Sequence, residues 1–114
     1  MKTPGIAVVG TGYIGEVHIQ TIAAHPNAQL QVICSTPRSE ERARQLQKTH
    51  NALRTTTHFD DVLTDDHVDV VYLCTPNSQH ASQAVAALEA GKALFVEKPL
   101  AVTVEQCRRI VAAA

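Results

Sequence analysis

Charge of one sign is missing from this sequence. Ten Lys and Arg face eleven Asp and Glu among 114 residues, a formal charge of −1, so no basic field exists to draw in nucleic acid or an anionic membrane. Long hydrophobic runs are missing too. No apolar stretch approaches the ~20 residues a membrane span needs, and the amino-terminal run is cut short by Gly10 and Gly12, unlike a secretory signal. Cysteine is scarce: Cys34, Cys74 and Cys107 stand far apart with no C-x-x-C pair. That fits reduced thiols in a cytoplasmic protein better than a disulfide framework, and no base is placed by spacing to make one of them a nucleophile. Repeats, low-complexity tracts and linkers are absent. What remains is an ordinary globular composition, 45% apolar and 18% charged. The length suits one domain able to bury roughly two-thirds of its unfolded surface.

The most informative stretch is Ile6-Ala7-Val8-Val9-Gly10-Thr11-Gly12-Tyr13-Ile14-Gly15. Four apolar, largely β-branched residues read as a buried strand, and the glycines at 10, 12 and 15 match G-x-G-x-x-G. Ile14, Val17 and Ile22 then begin a helical stripe. Strand, glycine turn and helix in that order give the motif its meaning. Gly10 permits the tight turn, Gly12 lets the backbone approach a pyrophosphate, and Gly15 lets the helix pack on the strand. The unpaired N–H groups at the helix start, around Tyr13 and Ile14, would hold the phosphates. The plainer reading is a βα turn of some other α/β fold.

The pattern predicts a first helix over 13–24, ended by His25-Pro26, and a second strand over Leu30–Cys34. The residues after that strand select the cofactor. An acid there binds the ribose 2′-hydroxyl of NAD, and an Arg accommodates the 2′-phosphate of NADP. Here the chain offers Ser35-Thr36-Pro37-Arg38. Ser35 and Thr36 can donate to phosphate oxygens and Arg38 can pair with them through two N–H groups, so NADP is favoured and NAD is the alternative. The plainer reading makes 35–37 a turn and Arg38 a solvated charge. Ser39 is expected to cap a second helix begun by Glu40 and Glu41, with Ala43 and Leu46 on its apolar face. A short, polar third strand over 53–57 belongs near an edge. Asp65, Asp66, His67 and Asp69 read as a solvated acidic loop rather than a metal site. Val68–Cys74 is a fourth, central strand, followed at its carboxyl end by Thr75-Pro76-Asn77-Ser78, where ligands of doubly wound sheets bind. A helix over 79–90, ended by Gly91, leads to a fifth strand, Ala93–Val96, and then to Glu97-Lys98-Pro99. Thr103 and Gln106 form a capping box for a last helix, with Val104, Cys107, Ile110, Val111 and Ala114 on its apolar face.

Gly10-x-Gly12-x-x-Gly15 with His18, Thr75-Pro76-Asn77-x-x-His80, Ala90-Gly91-Lys92 and Glu97-Lys98-Pro99 together resemble the Gfo/Idh/MocA oxidoreductases over nearly the whole chain. The resemblance implies an NAD(P)-binding Rossmann domain followed by an α/β substrate domain. It implies that Thr75, Pro76, Asn77 and His80 line the cofactor groove and that Glu97 and Lys98 face the nicotinamide side, the lysine helping to hold the substrate hydroxyl. A compact cation at a strand's carboxyl edge can also stabilise an alkoxide as hydride leaves. Two departures stand out. The acid many members carry after the second strand is absent, and the chain ends at Ala114 with no substrate domain. The family's general-base histidine comes from that second domain, so none of the six histidines here takes its role.

The expected fold is a single doubly wound α/β domain, residues 1–114, with a mostly parallel sheet in the order 3-2-1-4-5. The expected function is the cofactor half of an NAD(P)-dependent oxidoreductase moving hydride between nicotinamide and a carbinol carbon of a sugar or polyol, inactive without its second domain. A non-catalytic dinucleotide-sensing module is the rival from another class. S-adenosylmethionine also uses glycine-rich turns, but Glu97-Lys98-Pro99 and the missing ribose acid speak against it. Oligomers of the family form largely through the second domain, and apolar surface at its docking face could let this piece self-associate.

Overall fold

In the computed structural model, residues 3–75 and 77–96 are described, without the side chains of 77–80. Five strands alternate with helices: β1 (Gly5–Val9), α1 (Tyr13–Ala24), β2 (Gln29–Cys34), α2 (Glu40–His50), β3 (Arg54–Thr56), α3 (Phe59–Leu63), β4 (Val70–Leu73), α4 (Asn77–Glu89) and β5 (Ala93–Val96). The strands form one sheet in the order β3-β2-β1-β4-β5, and all four pairings are parallel. This is the expected doubly wound sheet of Rossmann type. β1 pairs with β2 on one side and β4 on the other, so the chain reverses its direction of winding there. Ligands of open α/β sheets bind outside the carboxyl ends of strands at such a point.

β1 is buried along its whole length, because helices cover both faces of the sheet. On one face Ala7, Val9, Val32, Cys34, Val71 and Leu73 meet Ala81, Ala84 and Ala87 of α4 and Val62 of α3. On the other, Ile6, Val8, Leu30 and Ile33 meet Ile19 and Ile22 of α1 and Ala43 and Leu46 of α2. Strict alternation would put Leu30 and Val32 on the same face. They lie on opposite faces because the register jumps between Ile6↔Leu30 and Ala7↔Val32, leaving Gln31 as an extra residue in the manner of a β-bulge.

Three local expectations are corrected. The buried stripe of α1 is Gly15, Ile19 and Ile22, whereas Ile14 and Val17 stay 43% and 38% exposed. Close contact at Gly15 rotates the helix so that the 15-19-22 line faces the sheet. Ser39 makes no side-chain capping bond, since a 3₁₀ turn over Pro37–Ser39 runs straight into α2. In the acidic loop before β4, Asp66 and His67 are exposed as expected, but Asp65 and Asp69 are structural. The Asp65 carboxylate is 9% exposed and lies 3.2 Å from Arg54 Nε, and Lys92 Nζ donates to the Asp65 carbonyl at 2.9 Å. Asp69 Oδ2 accepts from the Gly5 N–H at 2.8 Å, and the Asp69 N–H donates to the Gly5 carbonyl at 2.8 Å, fixing where β1 begins. The expected last helix, with Cys107, lies outside the described residues.

Candidate functional site

The site begins where β1 runs out. Gly10 donates its N–H to the Cys34 carbonyl at 2.9 Å, and Cys74 donates to the Val9 carbonyl at 2.8 Å. The turn is thus tied to both neighbouring strands. Gly10 has φ +110°, and a Cβ there would stand 2.6 Å from the Cys74 carbonyl oxygen, so only glycine fits. The chain then passes Thr11 and enters α1, with Gly12 as its N-cap. The first N–H groups of a helix have no intrahelical partner, and Gly12 offers no side chain to occupy them. A Cβ on Gly12 would meet nothing within 4 Å. Open space therefore lies where the helix presents its positive end.

That space is part of a cavity of about 620 Å³, within the range of small-molecule sites. Gly10, Thr11, Gly12, Tyr13 and Ile14 form its floor, Ser35, Thr36, Pro37 and Ser39 one wall, and Cys74, Thr75 and Gln83 the opposite wall. Thr57 and Phe59 close the end beyond β3. Of the residues expected from the sequence, the structure brings together Gly10, Gly12, Tyr13, Ile14, Ser35, Thr36 and Thr75. Gly15 is buried beneath the loop. Arg38 is exposed and lines no part of the cavity, though both its neighbours do. Asn77 and His80 fall on α4, and their side chains lie outside the described residues with Pro76, Glu97 and Lys98.

Thr57, Phe59, Ser39 and Gln83 were not anticipated. Thr57 and Phe59 gain their place only from β3 lying beside β2, a tertiary fact with no local signal. Gln83 lies on α4 two turns in, and its Oε1 accepts the Thr75 hydroxyl at 2.6 Å. The Thr75 proton is thereby committed to Gln83, leaving its oxygen free to accept. Ser35 is likewise committed, 7% exposed with its hydroxyl donating to the Thr36 carbonyl at 3.0 Å. The described cavity wall contains no Asp, Glu, Lys or Arg.

Cys34 sits on this wall as an inert thiol. Burial, helped by the Asp61 carboxylate, raises its pKa from 9.0 to about 11. The folded chain holds the proton more tightly than the unfolded one. The associated stability is therefore complete below pH ~9 and lost as pH rises towards ~11, by about 3 kcal/mol from the two-unit shift. Urea unfolding between pH 8 and 11 should show this decline, and Cys34→Ala should flatten it. An identical slope in both proteins would exclude Cys34 as its source.

Comparison with known proteins gives the family of the chain. Residues 5–114 match the Gfo/Idh/MocA profile, an oxidoreductase family with an NAD-binding Rossmann fold. The chain is 38% identical over 111 residues to inositol 2-dehydrogenase 3 of Saccharopolyspora erythraea, covering 97% of this chain and 32% of that protein. It superposes on scyllo-inositol dehydrogenase from Lactobacillus casei, solved with bound NAD(H) and scyllo-inositol, with a TM-score of 0.87 and 30% identity, covering 98% of this chain and 33% of that one. Levoglucosan dehydrogenase in complex with NADH gives a TM-score of 0.90 at 29% identity, covering 99% of this chain and 32% of the other. The chain thus spans about a third of the length of these relatives.

Proposed function

The chain belongs to the Gfo/Idh/MocA oxidoreductase family, whose NAD-binding Rossmann domain it matches over residues 5–114, and on that premise we propose that it is the cofactor-holding part of an NADP-preferring dehydrogenase of sugars, polyols or related carbinols. The observation that carries the reading is the open space at Gly12, at the amino terminus of α1 and the sheet's switch point. A pyrophosphate would take this position, close to the backbone and against the positive end of the helix. When bound, the nicotinamide supplies the hydride donor or acceptor. The chain's own part is to hold it: Gly12, Tyr13 and Ile14 by their N–H groups, and Thr75 by a hydroxyl oriented by Gln83. Pro76, Asn77, His80 and Glu97 join this groove by their match to the family motifs. Lys98, by the same match, holds the substrate hydroxyl and stabilises the developing alkoxide.

The preference for NADP rests on the wall after β2. It carries no carboxylate to repel a 2′-phosphate. Thr36 lines it, and Arg38 extends from the 3₁₀ turn with no hydrogen bond or ion pair among the described residues. Ser35, whose proton is already committed, contributes shape more than donation. Titration of the 114 residues with NADPH and NADH, followed by nicotinamide fluorescence, should give tighter binding of NADPH by about tenfold, or 1.4 kcal/mol, and Arg38→Ala should remove the difference. Preference for NADH would keep the fold and overturn the phosphate pocket. The general base belongs to the family's second domain, so these residues should bind without oxidising a polyol.

A further inference from the structure

We propose that Arg42, on α2, is a positioning residue that keeps the glycine turn and the start of α1 fit to receive a pyrophosphate, an inference that rests on the dinucleotide reading above. Two hydrogen bonds carry it. Arg42 Nε donates to the carbonyl of Thr11, between Gly10 and Gly12, at 2.8 Å. Its second arm donates to Glu16 Oε2 at 2.6 Å. One guanidinium thus joins α2 to both the turn and the first turn of α1. A lysine carries its three donors on a single nitrogen and lacks the planar fork that reaches these two acceptors from separate nitrogens.

The Glu16 contact matters for charge. A carboxylate in the first turn suits the helix dipole, but here that turn is the one whose N–H groups are proposed to hold an anion. Unpaired, Glu16 would oppose a pyrophosphate at that end of α1. Arg42 neutralises it while directing the Thr11 carbonyl, itself an acceptor that would repel phosphate, towards α2. The two side chains are 46% and 32% exposed, and an ion pair so open contributes little to stability. Its consequence is felt at the turn instead.

The test compares Arg42→Ala, Arg42→Lys, Glu16→Gln and the Arg42→Ala/Glu16→Gln double variant, each checked for folding by circular dichroism and titrated with NADH and NADPH. Arg42→Ala should weaken both dinucleotides at least tenfold, Arg42→Lys by less, and Glu16→Gln alone should leave them within about threefold of the parent. The double variant should bind several-fold more tightly than Arg42→Ala, because the uncompensated carboxylate is gone. A purely structural arginine predicts no such rescue. Folded Arg42→Ala binding like the parent, or a double variant no better than Arg42→Ala, overturns the positioning role alone. A parent that binds neither dinucleotide overturns the underlying reading and this inference with it.

Discussion

Gly15→Ala should lower stability by about 3 kcal/mol or more and abolish dinucleotide binding, although alanine is the better helix former. In an open helix the exchange would gain about 1 kcal/mol. At this position the added Cβ would lie 2.0 Å from the Gly10 carbonyl oxygen and 2.9 Å from its carbon. Both are backbone atoms of a turn already bonded to Cys34, so neither can yield as a flexible side chain would. Either α1 lifts off the sheet, breaking the contacts of Ile19 and Ile22 with Val8 and Ile33, or Gly10 leaves its place between β2 and β4. Overpacking of a core commonly costs 1–3 kcal/mol, and a clash against fixed backbone belongs at the upper end. Thermal unfolding followed by circular dichroism should show a midpoint more than ~10 °C lower. A midpoint equal to or above the parent's would mean that α1 has room to move and that Gly15 is not the contact holding it.

The same contact separates what the sequence disclosed from what it did not. The β1 strand, the glycine turn and the winding order β3-β2-β1-β4-β5 were legible because apolar runs, glycine spacing and right-handed crossovers are local or chiral rules. The buried line of α1 was not, since Ile14, Val17 and Ile22 share one broad helical face by sequence, whereas the observed line of Gly15, Ile19 and Ile22 is centred on a glycine that carries no apolar signal. Only the approach of Gly15 to Gly10 chooses between them. The bulge at Gln31 left no mark in composition. At the site, the glycines, Ser35, Thr36 and Thr75 were legible because they directly follow the carboxyl ends of β1, β2 and β4. Thr57, Phe59 and Gln83 come from elements brought alongside by the sheet, and no motif of β1 or β2 points to them. The acidic loop misled for a related reason. Asp65 and Asp69 look solvated by sequence, yet Arg54 of β3 and Gly5 of β1 reach them from 11 and 64 residues away.

Gly12→Val should separate folding from binding in the opposite sense. Gly12 has φ −72° and ψ −168°, a conformation open to any residue, and a Cβ there meets nothing within 4 Å. Replacing a capping glycine by an apolar residue should cost no more than about 1 kcal/mol, so the fold should persist. The branched side chain would instead enter the space ahead of the Tyr13 and Ile14 N–H groups, where the proposed reading puts the pyrophosphate. Affinity for NADH and NADPH should then fall by 100-fold or more, equivalent to about 2.7 kcal/mol, while adenosine, which has no phosphate, should bind as it does to the parent. Loss of both dinucleotides with adenosine unaffected would assign the space to the pyrophosphate. Parental affinity for the dinucleotides in a folded Gly12→Val chain would move the phosphates away from α1 and remove the observation on which the functional reading stands.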